Sequence, residues 1–579
     1  MSRRMVDVDL SGRRVVEQDL PEDLSRLGGR GLTSTLLLLE SDPCAHPLAP
    51  ESPLVFAPGL LAGTGLSSAN RCSAGAKSPL TGGIKESNCG GTAALKLARL
   101  GIGALRITGA APKGSCLSVR LSAAGVSIEE LPDMAGAGIY ASAAALRQRN
   151  GERIGLILCG PAGEMRLPTA CLSATDPEGE PCRNFGRGGL GAVAGAKGLK
   201  AIIIDDASCR FSPHDPAAFR DLMKCFTAEL KAHPVTGEMF AKFGTAMTLM
   251  NVNRLGGLPT RNFSAGRFES AEAISGDRLY ETIKGRGGQY AHGCMPGCVI
   301  RCSNKYVDPQ GRPVVGSLDF ETIGLLGANL GIADLDQVAE LNKLCNDIGI
   351  DTMETGVALG VLAEAGVFAW GDFPRVRDMI REVGIGTPLG RLIGSGSVSC
   401  GRAYGITRVA AVKGQGMAAY DPRAIKGMGV TYSQSPMGAD HTAGNAITLA
   451  VDHTDPRVQL DPVRELHLKY TALDTLGFCI FTGRVSLAKP ELVEQAVLAI
   501  TGWKVAFSDL LELGRTILLR EREYNRRAGF SPAQDRLPQF MEREALPPNG
   551  GVFDVSPEEL GRFYDFEGSS GPKKTLGHY

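Results

Sequence analysis

No stretch of this chain approaches the ~18 uninterrupted apolar residues that a membrane-crossing helix needs, so no membrane span is expected. Net charge is also missing: 62 Lys and Arg face 62 Asp and Glu. Without a global field, neither nucleic acid nor an anionic membrane surface is an expected partner. The opening MSRRMVDVDL reaches acid at Asp7, where a signal peptide needs an apolar core; an unexported, cytoplasmic protein is expected. No low-complexity run and no internal repeat is visible. An odd count of 15 cysteines in a reducing compartment argues against a disulfide framework. What is abundant is glycine, 75 of 579 residues, well above the usual ~7 %; without a collagen period this means many tight backbone sites. An apolar share of 43 % suffices for a large core and excludes disorder as the dominant state.

The chain changes character along its length. MVDVDL-SG-RRVVEQDL reads as a hairpin over Ser11-Gly12. Strand-like runs follow at 104–108, 117–121, 154–158 and 200–204, separated by Gly-rich turns. Beyond about Ala207, helical periodicity takes over at Asp215–His233, Asp334–Ile348, Glu354–Gly366, Pro490–Gly502 and Lys504–Gly529. The expected fold is α+β and multidomain. A β-rich base domain (1–206) precedes two mainly α-helical domains (207–408 and 409–579).

Most cysteines are scattered singly and read as buried thiols. One group is dense: AHGCMPGCVIRCSNKY places Cys294, Cys298 and Cys302 four apart. On a continuous helix they would string out over ~12 Å, but Pro296-Gly297 breaks such a helix, so a loop can fold them around one site. Three local cysteines and one distant one suit a [4Fe–4S] cluster. A structural zinc with His292, or three unrelated thiols, are the alternatives. Cys479, in LDTLGFCIF, is a candidate fourth thiol, and by itself it reads as a core cysteine.

Gly186-Arg187-Gly188-Gly189-Leu190-Gly191 spells G-x-G-x-x-G, a motif that needs a strand before it and a helix after it. EGEPCRNF does not read as a strand, and a strand at 200–204 follows instead, so a dinucleotide site is not expected. The loop, with Arg183 and Arg187, offers close backbone approach and forked donors to a phosphate. A second Gly-rich loop, LTGGIKESNCGG (80–91), has Arg71 ahead of it.

Together, PGLLAGTG…KSPLTGG, GRGGLGAVAGAKGLKAI, LGANLGI (326–332), NDIGIDTMETG (346–356), AAYDPR (418–423) and DTLGFC (474–479) resemble the tungsten-containing aldehyde:ferredoxin oxidoreductase family. The resemblance runs in order from Pro58 to Cys479. It implies a tungsten (or molybdenum) centre held by two pyranopterins on the β-rich base, with a [4Fe–4S] cluster nearby. By position, Arg71, Asn88, Gly90, Arg183, Asn184, Gly186 and Arg187 match residues gripping the pterin phosphates. The backbone carbonyls of Asn88 and Asn184 would face a bridging magnesium. Asn346-x-x-Gly349-Ile350-Asp351 and Asp474-x-x-Gly477-Phe478-Cys479 match the two pterin-ring motifs, with Ile480 just beyond the second. Cys479 joins Cys294, Cys298 and Cys302 as a cluster ligand, and Glu321 and His441 match the acid/base residues.

The sequence departs from the family pattern at three points. The first cysteine pair is C-x3-C where C-x2-C is usual. Asn346 stands where an Asp usually opens the first pterin motif, losing a charge-assisted acceptor. Glu340-Leu-Asn-Lys343 replaces an E-x-x-H that binds a subunit-bridging iron, and a lysine ammonium has no lone pair for a metal; no bridging iron at Glu340 is expected. The implied reaction is aldehyde plus water to carboxylic acid, with electrons passing to ferredoxin or a small iron–sulfur subunit. The alternatives are an aromatic acyl-CoA reductase subunit of the same cofactor type and a non-catalytic iron–sulfur electron carrier.

Overall fold

The computed structural model describes residues 3–207 and 209–566. The base is built from two six-stranded sheets. The first comprises β1 (Arg4–Asp9), β2 (Arg14–Asp19), β3 (Leu54–Pro58), β4 (Cys72–Lys77), β5 (Ile84–Cys89) and β6 (Ile102–Thr108), in the order β2-β1-β6-β3-β4-β5. The second comprises β7 (Leu117–Ser122), β8 (Gly125–Glu130), β9 (Gly155–Cys159), β10 (Leu172–Ala174), β11 (Arg183–Phe185) and β12 (Leu199–Asp205). Its order, β8-β7-β12-β9-β10-β11, is the first plan shifted by six strands. The pairing senses agree as well. The leading hairpin is antiparallel, β1 and β7 run parallel to β6 and β12, and the other pairs are antiparallel.

The expectation of no internal repeat is therefore corrected: the base is a structural duplication. Its trace in the sequence is thin because packing preserves shape while side chains diverge. What survives is glycine at backbone positions that demand it. Gly91 (φ +89°) and Gly188 (φ +86°) precede the equivalent helices Ala93–Arg99 and Leu190–Ala196, and Gly101 (φ +72°) and Gly198 (φ +73°) end them.

One face of each sheet contributes to a shared core, where Phe56 and Phe185 meet edge to face at 5.8 Å. The outer faces are covered symmetrically. Leu32, Leu36 and Leu37 of helix Gly29–Glu40 pack on Val55 and Ala104. Ile139, Ala143 and Leu146 of helix Ile139–Asn150 pack on Leu156 and Ile203. The reading of 183–198 also needs correction, because the G-x-G-x-x-G loop does lie between a strand (β11) and a helix. The dinucleotide reading still fails. β11 is an antiparallel edge strand separated from β12 by two others, so no parallel crossover exists.

The rest is mainly helical. The five helices read from periodicity form within a few residues of their expected ends, as Pro216–Ala232, Leu335–Ile348, Thr352–Glu364, Pro490–Thr501 and Phe507–Arg527. Asp215, Asp334 and Asp351 each accept backbone N–H groups at the first turn. Unexpected from the sequence is a three-stranded sheet, β13 (Gln289–His292), β14 (Ser303–Val307) and β15 (Pro313–Gly316), which holds the cysteine loop between its first two strands. A small hairpin, β16 (Ala411–Val412) and β17 (Gln415–Gly416), lies farther on. One core runs from Ala162 to Phe563 through both helical parts.

Candidate active site

The duplicated base receives two helix ends in the same way. Helix Leu460–Leu476 ends at Gly477 (φ +90°) and helix Leu335–Ile348 at Gly349 (φ +79°). Gly477 packs on Gly59, just after β3; Gly349 packs near Gly160, just after β9. A Cβ on Gly59 would lie 2.1 Å from the Gly477 Cα, and one on Gly160 2.4 Å from the Ile348 carbonyl. The Arg71 N–H donates to the Gly477 carbonyl at 3.1 Å, and the Cys171 N–H to that of Gly349 at 2.9 Å. Cys479 N–H then donates to Ser68, and Asp351 N–H to Thr169.

The side chains repeat this pairing. Asn88 on β5 and Asn184 on β11 each stand across from a serine, Ser73 and Ser173. Each amide donates to the residue that opens a helix-end motif: Asn88 to Asp474 at 3.4 Å and Asn184 to Asn346 at 3.0 Å. Burial foremost, with Glu86 adding to it against Arg30 and Arg71, pushes the Asp474 carboxyl up to about 8. The charged form of Asp474 is thereby disfavoured, so the Asn346 departure separates the two halves less in charge than the residue types alone would. Arg30 approaches Asp474 at 3.4 Å and forks onto Glu521 at 2.9 and 2.8 Å. At the matching helix start, the buried hydroxyl of Tyr140 lies beside Asn346.

The thiols make their hydrogen bonds and close packing with the first half, while Arg183 of the second lies near enough to act on Cys294. Gly90 faces Cys294, whose Sγ a Cβ would meet at 3.1 Å, and Gly91 N–H donates to the Cys294 carbonyl. Ser68 Oγ donates to Cys298 at 3.4 Å, and Val299 N–H to Ser67. A hydrogen bond from Cys294 draws the Cys298 thiol down to about 6 and pushes Cys294 well up. Burial, then the charges of Cys479 and Cys298, push Cys302 up; burial pushes up Cys479, against the pull of Arg71. His292 turns away from them. Arg183 lies 3.3 Å from its Nδ1, while its Nε2 meets Glu178 at 3.2 Å.

Among the described residues, the group with metal-ligand atoms within 4.8 Å of one another is Asp176, Glu180 and Cys182. Lys305, bound to Glu178 and 3.6 Å from Glu180, and nearby Arg183 already answer its charge. The four cysteines are not packed that tightly, as a tetrahedral zinc with ~2.3 Å bonds would require.

Glu321 sits in the first turn of helix Phe320–Leu326, and His441 opens a short turn capped by Asp440. They meet at 3.2 Å between His441 Nε2 and Glu321 Oε1. Burial, the largest influence, pushes the Glu321 carboxyl up; His441's charge and hydrogen bond outweigh it and hold the carboxyl below its ordinary value. Tyr420 Oη donates to Glu321 at 3.4 Å and accepts from Asn445 at 3.3 Å. Burial, then Glu321's charge, drives that phenol far up, so it stays protonated. His441 Nδ1 is buried and unpaired among the described residues. Lys85 anchors Asp440 at 2.6 Å.

The expected phosphate residues are dispersed in role. Arg71 is held by the side chain and carbonyl of Asn88. Arg183 reaches Ser303 at 2.8 Å and leaves its buried Nε unpaired among the described residues. Gly186 opens onto free space, with nothing within 4 Å of a Cβ built on it. Arg187 is spent on the protein: Asp351 at 3.0 Å and the carbonyls of Ala439 and Gly416 at 2.7 and 2.6 Å. Ile350 is buried against Ala170, and Ile480 is half-buried beside the core around Phe478. Glu340 is half-buried and lies between Arg377 and Arg381 at 3.9 and 3.7 Å. Sequence reasoning missed Arg30, Tyr140, Tyr420 and Asn445; only Tyr420 carried a signal, in AAYDPR.

Two family profiles cover most of the chain: "Aldehyde ferredoxin oxidoreductase, N-terminal domain" at residues 5–206 and "Aldehyde ferredoxin oxidoreductase, domains 2 & 3" at 221–571. Tungsten-containing aldehyde ferredoxin oxidoreductases of Pyrococcus furiosus and Thermococcus kodakarensis are each 31 % identical, over 98 % of this chain and 96 % of theirs. An aliphatic sulfonate oxidoreductase WOR-like subunit of Pyrococcus furiosus is 25 % identical over 77 % of this chain and 75 % of its own. In fold, the chain is similar to the active-site complex BamBC of benzoyl coenzyme A reductase, solved with 1,5-dienoyl-CoA. That likeness has a TM-score of 0.79 and 17 % identity, over 97 % of this chain and 92 % of the other. Matched along nearly its whole length, the chain belongs to the aldehyde ferredoxin oxidoreductase family of oxidoreductases.

Proposed function

We propose that this protein oxidises aldehydes to carboxylic acids at a tungsten centre held by two pyranopterins, with one [4Fe–4S] cluster leading to a ferredoxin-type acceptor. The observation that carries the reading is the paired cradle: two helix ends seated identically on a duplicated base, one half for each pterin. Unpaired buried groups support it, since Arg183 Nε and His441 Nδ1 lack partners that a bound polar cofactor would supply. Asn88 and Asn184, on the edge strands β5 and β11, would offer carbonyls to a magnesium between the phosphates. Cys294, Cys298, Cys302 and Cys479 would hold the cluster. Tungsten rather than molybdenum follows from the names of the relatives. The aromatic acyl-CoA reductase alternative has a likeness of fold alone behind it.

When bound, the tungsten–pterin group takes up the electron pair of the oxidation, and the cluster hands electrons on singly. The chain's own contribution is proton handling and exclusion of water. Glu321, held ionised by His441, is the base suited to a proton from the attacking water. Protonated Tyr420 fixes the orientation of Glu321 and cannot compete as a base at neutral pH. The free Nδ1 of His441 faces the opposite way from Glu321, so the imidazole can pass a proton between its two nitrogens. The balance is RCHO + H2O → RCOOH + 2 e− + 2 H+.

The test is tungsten and iron analysis of protein purified without oxygen, coupled to aldehyde-dependent dye reduction. Glu321→Gln and His441→Asn should each lower kcat by roughly 10²–10⁴-fold, with metal content unchanged. Near-normal turnover at full metal occupancy would remove both from the mechanism.

A further inference from the structure

The neutral net charge gives the molecule no overall attraction for a charged electron carrier, so any steering must be local. One surface is built for it. Helix Phe240–Phe243 continues an irregular turn from Val235 and touches both ends of the thiol set. Phe240 stacks on Phe481, two residues past Cys479, at 4.4 Å. Gly244, at its C-terminal end, lies so close that a Cβ there would sit 2.8 Å from the Cys302 carbonyl. Cys294, Cys298 and Cys302 are only half-buried, so this is the thin wall of the site.

Exposed Lys242 lies over this wall, its Nζ 4.8 Å from the Phe243 ring centre and 5.3 Å from that of Tyr280. Exposed Lys284 also lies over Tyr280, at 5.6 Å. Tyr280 meets Tyr290 of β13 edge to face at 4.9 Å, and Tyr290 is 40 % exposed. Exposed Arg301 lies between Cys298 and Cys302. Among the described residues, no carboxylate forms an ion pair with Lys242, Lys284 or Arg301, although Glu238 lies in the turn before Lys242 and both Asp277 and Glu281 share the helix Gly276–Gly285 with Lys284. Two neighbouring cations are already paired, Lys305 with Glu178 and Arg286 with Asp336. Unpaired cations around partly exposed aromatic rings, beside the thiols, match an acidic partner that docks briefly: charge at the rim steers the encounter and aromatic area holds it.

We propose that the face made by Lys242, Lys284, Arg301, Tyr280 and Tyr290 is the docking surface for a small acidic iron–sulfur electron carrier. The proposal rests on the reading that Cys294, Cys298, Cys302 and Cys479 hold a redox cluster. Each encounter moves one electron to the oxidised iron–sulfur centre of the carrier, with no proton transferred.

The experiment uses the intact, anaerobically purified enzyme with an acidic bacterial-type ferredoxin at low ionic strength. It compares wild type, the double variant Lys242→Glu/Lys284→Glu, and Lys113→Glu on a distant loop of the base. The double variant should raise KM for ferredoxin by ~10-fold or more and flatten its dependence on salt, while aldehyde-dependent reduction of a small dye is unchanged. Direct titration of oxidised ferredoxin should show the same weakening without any aldehyde. Lys113→Glu should behave as wild type. Unchanged ferredoxin KM and binding in the double variant would overturn the docking surface. Absence of aldehyde-dependent dye reduction in wild type would instead overturn the proposed activity, and the titration would still decide the surface.

Discussion

At the scale of single residues, the informative side chains are those left with unmet bonds inside the protein. His467 is fully buried, and neither ring nitrogen has a partner among the described residues. Its ring is wedged between Phe563, at 4.9 Å, and the backbone of Gly444, where a Cβ would lie 2.4 Å from Cδ2. Burial foremost, with Arg30 adding to it, lowers its pKa to about 3. The folded state therefore binds fewer protons than the unfolded chain, and stability must fall as pH drops below the ordinary ~6.5. The expected slope from this one residue is about 1.4 kcal/mol per pH unit down to its folded pKa. Urea unfolding of wild type and His467→Gln at pH 7, 6 and 5 checks it: the difference between the two proteins should shrink or reverse as pH falls. A pH-independent difference would show that the imidazole is not held neutral. Legibility varied at this scale. Glu321 and His441 were named by resemblance to motifs; that they lie 3.2 Å apart was not legible in the sequence. Arg30 and Tyr140 left no mark, because a helix-start residue acquires a partner more than 200 positions away only through the fold.

At the scale of elements, amphipathic helices were readable because a 3.6-residue period survives in any window. The duplication was not, because its signal is spread over topology. Short β10 and β11 were hidden for a related reason: three residues cannot display an alternation. The glycines that join the helix ends to the base make a direct test. Ala at Gly59 would place a Cβ 2.1 Å from the Gly477 Cα, backbone against backbone, with no flexible side chain to yield. Gly59→Ala should cost about 2–4 kcal/mol through overpacking and release iron, because the chain just past Gly477 carries Cys479. Gly160→Ala meets the Ile348 carbonyl at 2.4 Å and should destabilise comparably while iron is retained. Denaturant midpoints and iron analysis on both variants separate the two halves. Equal iron loss in both would contradict the placement of the cluster beside one half only.

For the whole molecule, residues far apart in sequence are joined pairwise by the fold, Asn88 to Asp474 and Asn184 to Asn346 on the two halves and Glu321 to His441 beyond them. Composition could say only that the protein is large-cored and uncharged overall. Metal content is a whole-molecule quantity, and the prediction is about four iron atoms per chain, the count of one [4Fe–4S] cluster. Glu340→Ala should change neither that number nor the oligomeric state, since Glu340 lies between two arginines and Lys343 offers a metal no lone pair. Cys479→Ser should lower it. Iron lost from Glu340→Ala together with subunit dissociation would restore a bridging metal. The duplicated base has a final implication. Its two halves are matched seats, but one arm ends in sulfur at Cys479 and the other in a carboxylate, Asp351, clamped by Arg187. The three companion thiols exist once. If those thiols hold the proposed cluster, a base of nearly twofold plan has a single outlet, like a circuit with two identical sockets and one wire. Placing a cysteine at Asp351 would add an idle thiol there, not a second way out.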